Sequence, residues 1–355
     1  MSGEPPSLDP PEEPVSPAPG PEEAQADLDL GDLAIVLSHY DMGVIRSITP
    51  IDRGAGGTAK FLVDCEGGRF VLKRRVERRE EMSRVAFTHA VHIELINKGF
   101  PAPTLIGTKR SRSSIVVHAG RLYELIQYVR GSRCDHSEQQ TREAGATLAR
   151  LHEALVDFVS PTPPPFGTFH DAQRVVGQLE AIGRAEGPAL TQLLDRYTEA
   201  AGRAEDCGVK AWPEQVIHGD WHPGNLLFSG TAVAAVLDYD TARMAARAID
   251  LANGALQFSI TRESGETRTW PDHLDEDRLR AFLTGYDEGS NHPVSRAELQ
   301  ALPWLMIEAM VAEAAGPVAT TGRFAAIEGG AFLRMVGRKV AWLREHADRL
   351  ANLMN

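Results

Sequence analysis

The segment His218-Gly219-Asp220-Trp221-His222-Pro223-Gly224-Asn225, followed by Asp238 thirteen residues after Asn225, constrains this chain more than any other feature. Pro223-Gly224 argues against a helix through the segment, and the apolar runs 226–228 and 234–237 read as short strands flanking it. Two carboxylates and a carboxamide are therefore expected on loops at strand ends. That set suits phosphoryl transfer from a magnesium nucleotide, where catalysis consists mostly of positioning and charge neutralisation. One Asp must accept or orient the proton of the attacking hydroxyl. An Asn and a second Asp must hold Mg²⁺, which takes hard oxygen ligands and few protein contacts. Asp220, Asn225 and Asp238 fit the three roles in chain order. Taken singly, each could cap a turn; the joint pattern points to chemistry. Gly219 and Gly224 let the backbone turn tightly, and His218 is expected to orient the loop by hydrogen bonding rather than to transfer protons. His218 and His222, four residues apart, would suit zinc only on one helix face, which Pro223-Gly224 disfavours.

The rest of the chain limits the partners. Eight of the 49 acidic residues and none of the 37 basic ones lie in residues 1–30, so the remainder carries 41 against 37, a net charge of −4. With no basic excess, a nucleic-acid partner is disfavoured. Residues 1 to about 28 are rich in Pro, Glu, Ser and Ala with almost no large apolar residue, a composition expected to stay disordered. The three cysteines, Cys65, Cys134 and Cys207, are far apart and read as free thiols in a reducing compartment, the cytoplasm. No apolar run approaches the length of a membrane span, and the N-terminus lacks the pattern of a secretory signal.

Periodicity predicts a short helix over 31–39, strands over 44–50, 60–65 and 69–75, a helix over about 80–98 stopped by Gly99, and strands over 114–118 and 121–127. This is a five-stranded antiparallel sheet with one inserted helix. Beyond Gly131 the pattern turns helical, with capping boxes at Ser137/Gln140 and Ser295/Glu298 and helical stretches across 171–206, 276–288, 296–315 and 322–353. Chain organisation is therefore expected as a tail (1–28), an N-terminal nucleotide-binding lobe (29–130) and a helical catalytic and substrate lobe (131–355).

Given these motifs, the sequence resembles the aminoglycoside phosphotransferase and choline kinase superfamily over about residues 31–350, and within it most the homoserine kinase-like and spore-coat kinase-like branch. His-Gly-Asp-x-x-x-x-Asn is matched by 218–225, the magnesium Asp by Asp238, and a later Asp-Leu-Ala by 250–252. The resemblance implies that Asp250 buttresses the catalytic loop. It implies that Lys73, ending the apolar run Phe70-Val71-Leu72, holds the ATP phosphates. Strand alternation places Lys73 and Arg75 on one face and Arg74 on the other. Gly54, Gly56, Gly57 and Thr58 resemble a phosphate-covering loop, and the backbone from Gln127 to Val129 resembles the hinge that meets adenine. One departure stands out: kinases pair the lysine with a Glu on the following helix, and the matching position here is His89. Either His89 or a carboxylate from another place must orient Lys73. Trp221 and Asp240 flank the reacting centre and are candidates for substrate contact. Trp304 and Glu308 share a helix face and could bind a cation, although a partly buried helix face is the commoner explanation.

The expected fold is α+β, protein-kinase-like and two-lobed, with a small antiparallel-sheet N-lobe and a large helical C-lobe enclosing Mg-ATP. The expected activity is transfer of the ATP γ-phosphoryl group to a hydroxyl of a small polar molecule, an amino alcohol or homoserine-like compound. The alternatives are an aminoglycoside kinase, a protein Ser/Thr kinase and a catalytically degenerate kinase-like binding module. Oligomeric state is not legible in the sequence.

Overall fold

The computed structural model describes residues 30–51, 59–76, 79–262 and 266–354, and within them the chain divides into two compact units. The first takes the described residues up to 76 together with 106–126; the second takes 79–105 and everything from 127 onward. The division is interleaved rather than cut once near residue 130, because the helix after the third strand buries Phe87, Val91 and Leu95 in the core of the second unit. The expected tail over 1–28 lies outside the described residues.

The first unit holds α1 (Leu30–Leu37) and a sheet of β1 (Ile45–Pro50), β2 (Ala59–Cys65), β3 (Gly68–Val76), β4 (Val116–His118) and β5 (Arg121–Gln127), in the order β1-β2-β3-β5-β4. Strand β2 alternates strictly between buried and half-buried positions, the period-two signature of a sheet with one face in a core. Val63, Leu72, Leu125 and Tyr40 meet in that core. The β2–β3 hairpin turns at Glu66-Gly67-Gly68, and its register pairs Lys60 with Lys73 and Phe61 with Leu72. Alternation then sends Arg74 over the Phe61 ring, 5.9 Å from its centroid, while Lys73 and Arg75 both meet Glu124.

The second unit begins with α2 (Arg79–Asn97), closed by Gly99 at φ +71°. It continues with α3 (Glu138–Leu155), α4 (Gln173–Glu186), α5 (Pro188–Asp206), strands β6 (Glu214–Ile217), β7 (Leu226–Ser229), β8 (Ala232–Val236) and β9 (Arg243–Ala246), and α6 (Arg247–Ser259). Helices α7 (Glu276–Gly289) and α8 (Arg296–Thr321) follow, then a small hairpin of β10 (Arg323–Phe324) and β11 (Ile327–Glu328), α9 (Gly329–Glu345) and α10 (Ala347–Ala351). Ser137 caps α3 by accepting from the Gln140 amide, but the Gln140 side chain turns away to the Asp135 amide and the Gly230 carbonyl, so the box is only half made. Ser295 and Glu298 form the complete reciprocal box at α8.

Strands β6 and β9, helix α6 and the β10–β11 hairpin were not expected. Helix α6 has no side-chain N-cap and so carries no start signal, although Arg247, Asp250, Asn253 and Gln257 recur at helical spacing. The predicted helix over 322–353 is interrupted by the β10–β11 hairpin, entered through Gly322 at φ +69°. Helices α3 and α7 cross so closely that a Cβ on Gly145 would sit 2.0 Å from the Phe282 carbonyl oxygen, and one on Gly285 1.9 Å from that of Arg142. That approach brings His152 of α3 against Tyr286 of α7. Among the described residues α8 alone is long and apolar enough to cross a membrane, and most of it is buried in the core.

Candidate active site

Strand β6 pairs antiparallel with β9, and the chain leaving β6 forms the 218–225 loop. The first turn of α6 fixes this loop. Asp250 is fully buried, and its two carboxylate oxygens accept the backbone N–H groups of His218 (2.6 Å) and Gly219 (2.8 Å). Carboxylates near a helix N-terminus are also favoured by the helix dipole. His152 reaches the same carboxylate at 3.4 Å and accepts or donates to the Tyr286 hydroxyl at 2.7 Å. Gly219 sits at φ +79°, and a Cβ there would lie 2.4 Å from the Thr241 carbonyl oxygen, so this turn admits only glycine.

His218 is buried and uses both ring nitrogens. Nε2 faces the Leu237 carbonyl at 3.0 Å, and Nδ1 faces the Asp220 amide at 3.3 Å. A carbonyl can only accept and an amide N–H can only donate, which assigns the Nε2–H tautomer and ties the loop to the chain before Asp238. Both nitrogens of His222 are also engaged, by the Gly224 amide and by Asp220. Asn225 donates its Nδ2 to the Asp220 carbonyl (3.0 Å) and to Asp220 Oδ2 (2.9 Å), and its own carbonyl accepts from the Leu237 amide at 2.8 Å. The three expected catalytic residues are thereby linked: Asp220 to Asn225 directly, and Asn225 through Leu237 to Asp238. Asp238 occupies the left-handed region at φ +61°, ψ +73°, unusual for a non-glycine residue and typical of strained functional positions.

Burial alone would push the Asp220 carboxyl up, but the hydrogen bond and charge of His222 and the Asn225 bond outweigh it and hold the carboxyl below its ordinary value. His222 mirrors this: burial pushes it down, and Asp220, Glu313 and Asp238 together raise it. Asp220 Oδ2 is occupied by Asn225 and His222, whereas Oδ1 accepts no hydrogen bond among the described residues. Asp220 lines a cavity of about 270 Å³ built wholly within the second unit. Arg174 and Arg243 bring positive charge to its wall, and Asn253, Gln257 and Glu313 bring polar and acidic groups from α6 and α8. Gln257 donates to Glu313, whose carboxyl is pushed up chiefly by burial.

Lys73 Nζ lies 3.7 Å from Glu124 Oε1, and Arg75 Nη2 lies 2.7 Å from the same oxygen, all three side chains being buried in the first unit. A carboxylate that meets Lys73 thus comes from β5, the neighbouring strand. Gln127 donates its amide to the Thr104 carbonyl at 2.8 Å, so that N–H is already used; the hinge contacts expected of 127–129 are left to its other backbone groups. Gly54, Gly56, Gly57 and Thr58 lie outside the described residues. Trp221 is fully buried and packs edge-on against His218 at 5.4 Å, so it supports the loop from the core and does not face substrate. Trp304 and Glu308 are also interior: Arg203 covers the indole, and Glu308 is bonded to His170 and Asp171. Glu124, Arg174 and Arg243 went unread in the sequence, and Glu313, nine residues past Trp304, falls on the other side of that helix and lines the cavity. For Glu124 a signal existed, an acid on an otherwise apolar strand; Arg174 and Arg243 lie far apart in the chain with no local motif.

Residues 47–297 match the phosphotransferase enzyme family known as APH, and the chain belongs to that family. It is 27% identical over 286 residues to a homoserine kinase of Phenylobacterium zucineum, covering 77% of this chain and 80% of that protein. It is 28% identical over 278 residues to a homoserine kinase of Mesorhizobium japonicum, covering 78% and 81%. In fold it is similar to a microcompartment-associated aminopropanol kinase (TM-score 0.68, 17% identity, 91% and 99% coverage). It is also similar to an amicoumacin kinase in complex with AMP-PNP and Ca²⁺ (TM-score 0.66, 12% identity, 93% and 96% coverage). The protein-kinase-like α+β fold and the membership in an ATP-dependent, hydroxyl-directed phosphotransferase family expected from the sequence both hold.

Proposed function

We propose that Asp220 is the catalytic base of a kinase that phosphorylates the side-chain hydroxyl of a small amino acid, with L-homoserine as the first acceptor to test. The observation that carries this reading is the asymmetry of Asp220: one carboxylate oxygen is held by Asn225 and His222 while the other is left open on a residue that lines the cavity. An acceptor hydroxyl bonded to that open oxygen passes its proton to Asp220 as its own oxygen bonds to the γ-phosphorus. The bond from that phosphorus to the bridging oxygen breaks, and ADP leaves. The wall charges suit a zwitterion, with Arg174 and Arg243 for a carboxylate and Glu313 for an ammonium group. The cavity volume falls just below the roughly 300–1,000 Å³ of drug-sized ligand pockets, in keeping with a small metabolite.

Asn225 and Asp238 fit a magnesium site. The Asn225 side chain donates only through nitrogen, so its Oδ1 makes no hydrogen bond among the described residues, and the bonded Leu237 sets Asp238 beside it. Two hard oxygens with room for phosphate are the usual protein share of a magnesium ion. Bound there, Mg²⁺ supplies charge neutralisation to the phosphates. Lys73, oriented by Glu124, would neutralise the nucleotide from the first unit. Gly54, Gly56, Gly57 and Thr58 would cover its phosphates, with Val129 and the backbone of Gln127 toward the adenine.

The test is ADP release with Mg-ATP across L-homoserine, choline, ethanolamine, simple sugars and aminoglycosides. A kcat/KM for L-homoserine no higher than for choline or sugars would sink the amino-acid reading. Glu124→Gln should raise KM for ATP by roughly tenfold, because it removes a carboxylate that two buried cations share. It should also lower the melting temperature. An unchanged ATP KM would detach Lys73 from the nucleotide.

A further inference from the structure

Between α3 and α4 the chain presents Thr168 and Phe169 to the cavity, and the residues on either side are held by an unusual number of bonds. His170 is at the centre. Its Nδ1 lies 2.8 Å from Glu308 Oε2 and its Nε2 3.0 Å from Glu205 Oε1. A neutral imidazole has one N–H, so it can donate to only one of two ionised carboxylates; satisfying both requires the imidazolium, with Glu308 kept ionised by His170 and the Asp171 amide against the burial that pushes its carboxyl up. Glu308, fully buried on α8, spends its other oxygen on the Asp171 amide at 2.8 Å. Tyr197 of α5 accepts the Ala172 amide and donates to the Phe169 carbonyl, and Arg243 donates to the Gly167 carbonyl. The segment is bent to suit, with Gly167 at φ +82° and Asp171 at φ +45°.

We propose that His170 is a positioning residue for the acceptor: as an imidazolium gripped between Glu308 and Glu205, it holds residues 167–172 so that Thr168 and Phe169 form one wall of the acceptor cavity, and acceptor affinity falls when that charge is lost. The inference rests on the reading of this cavity as the acceptor site. The charged and titratable groups around His170 come from each element packed there: Glu308 from α8, Glu205 and Tyr197 from α5, Lys210 from the turn after α5, and Asp171 from its own segment. Lys210 bonds Asp171 at 3.0 Å and approaches Glu205 at 3.6 Å, so it competes for the exposed carboxylate but does not reach Glu308. Burial works against the charge on His170, and the two carboxylates overcome it, placing the imidazole above its ordinary value. The charge of His170 is therefore fully present below about pH 6.5, the unfolded imidazole value, and is lost as the pH rises through the higher folded value; on the acid side the clamp ends where Glu308, its carboxyl pushed up by burial, takes a proton.

The experiment compares wild type, His170→Gln, Glu205→Gln and Asp220→Asn in steady-state kinetics with L-homoserine and ATP, alongside amide hydrogen exchange of a peptide covering 166–173. His170→Gln should raise acceptor KM roughly tenfold, the loss of about one charge-assisted hydrogen bond, with ATP KM unchanged and kcat within about threefold. Exchange protection of 169–172 in wild type should fall as pH rises from about 6 to 9, and in Glu205→Gln that fall should move to lower pH by about one unit. The exchange arm needs no acceptor, and Glu205→Gln carries the test if His170→Gln folds poorly. Unchanged acceptor KM with pH-independent protection overturns the clamp, as does an ATP KM that rises in parallel. Activity retained in Asp220→Asn overturns instead the underlying reading of the cavity.

Discussion

Asp220→Asn should lower kcat by about 10³-fold, the usual scale of a lost general base, while ATP binding by calorimetry and the melting temperature stay close to wild type. The carboxamide can still accept from Asn225 through its oxygen, so the loop keeps its shape. What is lost is the acceptor for the hydroxyl proton at the open oxygen. A kcat within tenfold of wild type would remove Asp220 from this role. The wild-type pH profile gives a second reading. Because His222 and Asn225 hold the Asp220 carboxyl below its ordinary 3.8, the base stays ionised well into the acid range. The Asp220–His222 pair itself has a two-sided window. It is present above the unfolded Asp value of 3.8 and below the unfolded His value of 6.5. It is lost downward through the depressed Asp220 value and upward through the raised His222 value.

Asp250→Ala should cost both stability and rate without touching a reacting atom. Two buried backbone N–H groups, of His218 and Gly219, would lose their acceptor, and His152 would keep only Tyr286 of its two partners. Leaving buried donors unsatisfied beside a lost buried charge costs about 2–5 kcal/mol, and for a unit of this size a melting temperature lower by roughly 5–10 °C follows. The catalytic loop would then sample other positions, and kcat should fall by about 10²-fold, since small misplacement of a catalytic group is costly. Asp250→Asn should fall between the two, because its amide group would face one of the two donors. Differential scanning calorimetry and kcat measured together decide this; normal values for both would show that the loop stands without Asp250.

Much of this was legible in one dimension because the chemistry is encoded in short spacing. The strands of the first unit alternate, so their register and the opposite faces of Lys73 and Arg74 follow from period two. Asp220, Asn225 and Asp238 lie within nineteen consecutive residues, so a local loop and two short strands suffice to assemble them. Helix α6 escaped notice because no capping side chain marks its start. Trp221 was read toward the substrate because its neighbour Asp220 is there, but a fully buried indole beside a tight turn points into the core.

The sequence by itself therefore determined the family and the reaction class, and it placed Asp220, Asn225 and Asp238 on one short stretch, since these depend on contacts only a few positions apart. Only the tertiary structure decided what surrounds them. Lys73 is paired with Glu124 from 51 positions away, the loop hangs on Asp250 from α6, and His170 joins Glu205 of α5 to Glu308 of α8. Such partners are selected by helix packing and burial, which cost a charged group dearly unless a counter-charge arrives from some other element, and no local pattern records which element that is.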